Sequence, residues 1–138
     1  MARRHWLLKT EPSQYSFDDL SREKRARWDG ITNNLALKNL REARKGDDVL
    51  IYHSGSERAA VGTARIATDP YPDPKAKDPK LVVVDVEAGK KLPRPVELST
   101  IKAHARLKKF PLVRLPRLSV VPVADEEWED LMRLAGKK

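Results

Sequence analysis

Residues 48–66, DVLIYHSGSERAAVGTARI, decide the fold. Asp48–Ser54 is rich in the β-branched and aromatic residues that suit a pleated surface, and Ala60–Ile66 repeats the pattern after a turn at Gly55-Ser56-Glu57. The pair reads as a hairpin. Working outward, Leu81–Glu87 is a third strong strand and Pro93–Leu98 adds a short edge. Trp6–Thr10 is a short strand that Pro12 stops, and Leu118–Val123, after Pro116, is the last. Asp69-Pro70, Asp73-Pro74 and Asp78-Pro79 mark a stiff irregular loop barred from a sheet interior.

Helices sit toward the ends. Ser16 caps a short one, with Asp19 three residues on. Trp28–Asn33 reads as a turn carrying an aromatic, and Asn33 caps a second helix. In that helix Ala36, Leu37, Leu40, Ala43 and Arg44 follow three-four spacing, and Gly46-Asp47 ends it. Ser99 caps one or two turns through His104. Asp125–Leu134 closes the chain with Trp128, Leu131 and Met132 on one face and an acidic first turn that suits the helix dipole. The class is α+β, most simply a small curled sheet or barrel.

The 138 residues match one domain, 1–138. The absence of cysteine excludes disulfides and thiolate metal sites and fits a reducing compartment, so the expected location is the cytoplasm. The basic start Met1–Arg4 is followed by an apolar run of only Trp6–Leu8, too short for a secretory leader, and no stretch suits a membrane span. The net charge is +8, and the stretch from Gly89 to Ala124 accounts for all of it. Lys90, Lys91, Arg94, Lys102, Arg106, Lys108, Lys109, Arg114 and Arg117 there face one acid, Glu97. Such clustering is the footprint of a polyanion partner, although a solvated surface gives the same count.

No catalytic set emerges. His5, His53 and His104 are dispersed and lack metal-site spacing. His53 and Ser54 are neighbours on a strand and point to opposite faces, so they cannot act as base and nucleophile. Asp18-Asp19 and Asp47-Asp48 suit a helix start and a turn. There is no glycine-rich phosphate loop, and no metal or cofactor is expected. Binding groups are better represented. Lys9 and Glu11 share a strand face, as do Tyr52 and Ser54, and Trp28 and Asn33 flank a tight loop. A flat aromatic, an amide, a hydroxyl and a carboxylate are what stacking a nucleobase and reading its edge require. Each has an ordinary alternative: Trp28 in the core, Asn33 as a cap, Ser54 in a turn, Lys9 paired with Glu11.

Taken in order, several segments resemble the EVE domain, a branch of the PUA-like superfamily related to YTH and ASCH domains. They are Trp6–Pro12, Tyr15–Leu20, Trp28–Asn33, Gly46-Asp47 with Tyr52–Ser54, Val61–Arg65, Tyr71–Pro74, Val84–Val86, Arg117–Val120 and Pro122-Val123. The resemblance spans Trp6 to about Leu134. It implies a PUA-like curled β-barrel of five or six strands with short helices around it, and a pocket for a flipped, modified base. EVE domains are associated with modified cytosine in DNA, and their relatives with RNA. By position the pocket would include Lys9, Thr10, Glu11, Trp28, Thr32, Asn33, Ser54, Leu118 and Ser119. The chain departs from the family's pattern at Thr32, where arginine is usual, so a charged contact is lost there. The loop before Val84-Asp85-Val86 is compressed into Lys75–Lys80 without its usual tryptophan, which lowers one wall.

The expected role is therefore to bind nucleic acid, DNA or RNA, as a monomer. The pocket would discriminate a base and the basic stretch would hold phosphates. A metabolite binder using the same pocket, and an enzyme acting on a base or ribonucleotide, are the competing readings.

Overall fold

A computed structural model describes residues 4–136, so the basic start Met1–Arg4 lies outside the described residues except for Arg4. The hairpin at residues 48–66 forms the middle of the sheet: β3 (Asp48–His53) runs antiparallel to β4 (Ala59–Ile66). On the far side of β3 lies β1 (His5–Thr10), parallel to it, and then β7 (Val120–Val123), antiparallel to β1. On the far side of β4 lies β6 (Val82–Glu97), followed by β2 (Arg25–Trp28). A two-residue β5 (Tyr71–Pro72) pairs β6 off this path.

The helices are α1 (Phe17–Glu23), α2 (Asn34–Glu42), α3 (Leu98–Ala103), α4 (Pro111–Arg114) and α5 (Asp125–Leu134). Parallel strands cannot be joined by a tight turn. The connection from β1 to β3 is accordingly long, and it carries α1, β2 and α2.

The α+β class stands, but the barrel expectation is corrected in count and closure. Among the described residues there are seven strands, not five or six: six in the order β2-β6-β4-β3-β1-β7 and β5 beside β6, with no pairing between β2 and β7. The extra strands are the ones with weak apolar signals. Trp28, expected in a turn, instead ends the strand Arg25-Ala26-Arg27-Trp28, whose outer face carries two arginines because an edge needs no apolar outer face. Tyr71–Pro72 breaks the Pro-rich loop briefly.

The short edge at Pro93–Leu98 is instead the far half of the single long β6. Between the pairs Gly62↔Lys91 and Ala60↔Val96, β6 advances five residues while β4 advances two. Pro93 and Pro95 occupy that bulge, where a missing N–H breaks no ladder bond. Glu97, not Ser99, is the N-cap of α3. Leu118 and Ser119 precede β7, and α4 begins at a proline preorganised for the first helical position.

Both faces of the central strands are covered. Trp6, Leu7 and Leu8 of β1 and Val49–Ile51 of β3 are all buried, which explains their unbroken apolar runs. Phe17 packs on Gly62, where an added Cβ would overlap its ring. Asp47 is buried and accepts from the Arg4 and Arg44 backbone N–H groups at 3.1 and 2.9 Å and from Trp6 Nε1 at 2.9 Å. It ties the start of β1 to the turn after α2. On β7, the Val120 carbonyl accepts from Asn39 Nδ2 of α2 at 2.8 Å.

Candidate functional site

A cleft of about 590 Å³ opens where the long β1–β3 connection crosses the end of β1. Lys9 and Thr10 form its floor and β2 one wall. Asp29, Gly30 and Ile31 continue that wall, and Tyr15, Glu23 and Ser119 complete the rim.

Each side chain is positioned locally. The Lys9 N–H donates to the Ser119 carbonyl at 3.0 Å, extending the β1–β7 pairing by one step. Lys9 Nζ donates to the Pro116 carbonyl at 2.7 Å and lies 5.8 Å from the centre of the Tyr52 ring. Its partial burial disfavours the charged form and lowers its pKa. Thr10 Oγ1 donates to the Tyr15 carbonyl at 2.6 Å, which holds Tyr15 over the end of the strand. The Tyr15 hydroxyl donates to Glu23 at the end of α1. Burial first, and that carboxylate second, push the Tyr15 phenol above its usual range. Its ring meets Trp28 edge-on, centroids 6.1 Å apart and planes at 79°. Trp28 ends β2 with 8% of its surface exposed, and that remainder lines the cleft.

Alternation along β2 puts Arg25 and Arg27 on the face opposite Trp28. Arg27 Nε donates to the Tyr71 hydroxyl at 3.3 Å, and that hydroxyl donates to Asp85 at 2.5 Å. Asp85 also accepts from Arg25 Nη2 at 3.3 Å. The Tyr71 hydroxyl is the main reason the Arg27 guanidinium holds its proton above the ordinary range.

Of the pocket residues expected from sequence, Lys9, Thr10, Trp28 and Ser119 line this cleft, and Glu11, Thr32, Asn33, Ser54 and Leu118 do not. Glu11 accepts from the Ser13 N–H and hydroxyl at 3.1 and 2.9 Å, and the backbone bond is the chief cause of its lowered pKa. Its carboxylate lies over Gly55, where a Cβ would meet Oε2 at 2.5 Å. It therefore turns away from the cleft, and it does not pair with Lys9. Asn33 Oδ1 accepts from the Ala36 N–H at 3.0 Å as the α2 cap. Thr32 is exposed, Leu118 is buried, and Ser54 is half-buried, with its N–H on the Thr10 carbonyl at 2.9 Å.

None of the nine basic residues of the 89–124 stretch lines the cleft. Arg106 is committed to the buried carboxylate of Asp130 at 2.6 Å. Lys109 and Arg114 share a separate groove with Arg4, Asp125, Glu126 and Glu127. Lys102 borders another, beside Glu57 and Arg58. Lys90, Lys91 and Arg94 are exposed on the far half of β6, and Lys108 and Arg117 are exposed too.

Sequence reasoning passed over Tyr15, Glu23, Arg25, Arg27, Asp29 and Ile31. The available signal was the alternation in Arg25-Ala26-Arg27-Trp28. Among the described residues, no group of three or more His, Asp or Glu could hold a metal ion, and no helix is long and apolar enough to cross a membrane.

The architecture has known relatives. Human thymocyte nuclear protein 1 is 27% identical over 168 residues, covering 97% of this chain and 75% of that protein. Rpa0253 from Rhodopseudomonas palustris superposes with a TM-score of 0.92 at 38% identity, over 96% of this chain and 93% of that one. Human thymocyte nuclear protein 1 in complex with DNA containing 5-methylcytosine superposes with a TM-score of 0.89 at 28% identity, over 98% and 99% of the two chains. The EVE domain model matches residues 4–134. On that match and this fold, the chain belongs to the EVE domain family.

Proposed function

We propose that this protein binds DNA carrying a modified cytosine, most simply 5-methylcytosine, with the base turned out of its strand and into the cleft at the end of β1. The observation that carries the reading is the cleft itself, together with the relative that was captured on 5-methylcytosine DNA. Its volume of about 590 Å³ is in the range of small-ligand sites. Trp28 and Ile31 offer apolar surface to a ring and its methyl group. Asp29, exposed at the rim, offers the acceptor that an exocyclic amino group needs and that the carbonyl edge of thymine repels.

The role is completed by binding, without turnover. We take the form that binds to be a monomer, and the cysteine-free composition fits a reducing compartment such as the cytoplasm. RNA is the competing polymer, since single strands present unstacked bases in either chemistry.

The test is fluorescence anisotropy with short labelled oligonucleotides carrying one central cytosine, 5-methylcytosine or thymine. DNA and RNA, single and double stranded, are compared at two salt concentrations. Tightest binding to the 5-methylcytosine DNA, with the rank order kept at both salts, is expected. Equal affinity for all three bases rules the reading out.

A further inference from the structure

We infer that Arg25 and Arg27 of the edge strand β2 form the phosphate-binding site for the nucleotide held in the cleft, and that the 89–124 stretch does not. This rests on the base-binding reading above and adds where the backbone runs. Residues two apart on a strand project to the same side about 6.6 Å from one another, a spacing that neighbouring phosphates of one nucleic-acid strand can meet. Both arginines line the cleft that would take the base, so a base seated there brings its flanking phosphates to them.

Both are exposed and in place before any ligand arrives. Asp85 lies opposite Arg27 in the β2–β6 register and accepts from Arg25. Its bond from Tyr71 fixes the hydroxyl on which Arg27 rests. The two arginine contacts are long, at 3.3 Å each, and lie at the surface, so a phosphate can replace or share them at small cost. A guanidinium presented as a planar fork suits a phosphate better than an ammonium does. Arg25 also borders a second groove with Lys45 and Arg65, and this continues the cationic path away from the cleft. Glu87 stands in that groove and limits the path's net charge.

The larger basic stretch is less available. Arg106 and Arg133 both pair with the buried Asp130, and Lys109 and Arg114 share their groove with three carboxylates.

The experiment compares wild type, Arg25→Gln/Arg27→Gln and Lys108→Gln/Lys109→Gln. Two probes are used: a single-stranded DNA oligonucleotide with one 5-methylcytosine, and the free nucleoside 5-methyl-2′-deoxycytidine, which has no phosphate. All four substituted positions are exposed, so unchanged melting is expected in both variants. The arginine variant is expected to lose about tenfold or more in oligonucleotide affinity. Its plot of log affinity against log salt should flatten by about 1.4, the value for two contacts on a single strand. Nucleoside affinity should stay within about twofold in both variants, and the lysine variant should keep the wild-type slope. An arginine variant with wild-type slope and oligonucleotide affinity overturns the assignment and leaves the base reading standing. A wild type that binds the oligonucleotide and ignores the nucleoside removes the base reading, while the slope comparison still decides the arginines. A wild type that binds neither probe overturns both.

Discussion

At the scale of single residues, one carboxylate changes role. The sequence offers Glu11 as the carboxylate that reads a base edge. The structure spends its Oε1 on the Ser13 N–H and hydroxyl instead, and its Oε2 lies over Gly55. A side chain that bonds two residues ahead cannot also reach back across the strand end, and the sequence carries no mark of that choice. Asp29 stands at the cleft in its place. Asp29→Asn should therefore narrow the preference for cytosine over thymine probes by about 1–3 kcal/mol. Glu11→Gln should leave that preference where it is. Competition binding with the two bases separates these outcomes, and a shift in the Glu11 variant alone would reverse the assignment. Lys9 and Trp28 were readable because their surroundings are local: a strand end for one, a Gly-containing loop after the other. Tyr15 was hidden because its place depends on Thr10, five residues back, which takes its carbonyl.

At the scale of elements, the strong strands, the caps at Ser16 and Asn33 and the closing helix were legible, since each depends on short-range pattern. β2, β5 and the continuity of β6 were not, because an edge strand and a bulge are defined by the partner rather than by their own residues. Asp47 shows the same limit. It reads as a turn residue, yet its carboxylate collects three N–H groups from two separate segments. Asp47→Asn turns an amide donor toward those donors and strands at least one of them. The expected cost is about 1–3 kcal/mol per unsatisfied group, read as a lowered urea midpoint. Gly62→Ala should cost about 1–3 kcal/mol by forcing the Phe17 ring aside. A Gly62→Ala protein as stable as wild type would show that α1 shifts freely over β4.

Across the whole molecule, the three tyrosines behave alike. Tyr15, Tyr52 and Tyr71 all have pKa values raised above the ordinary 10.0, with burial as the first cause in each. Above about pH 10 the unfolded chain releases these protons while the folded chain keeps them. The folded state then binds more protons, and stability falls as pH climbs. The stabilising contribution is whole below pH 10 and disappears as pH passes through the folded values. Tyr15→Phe should flatten the decline in unfolding free energy measured as pH rises above about 10. A variant whose decline matches wild type would mean that Tyr15 titrates as freely as in the unfolded chain.

The open sheet has a last consequence. In an antiparallel strand, the N–H and C=O of one residue face the same side. The Val120 carbonyl points outward to Asn39, so Pro122, two residues on, also faces outward and has no N–H to offer. The β7 edge is thus plugged at one position and lacks its donor at the next, while the β2 edge is open. Growth of a fibre by edge-to-edge strand addition needs two free edges on every copy. With β7 blunted, pairing through the two ends of the sheet path is confined to β2 against β2 in a closed, two-fold pair, so growth through those ends stops at two.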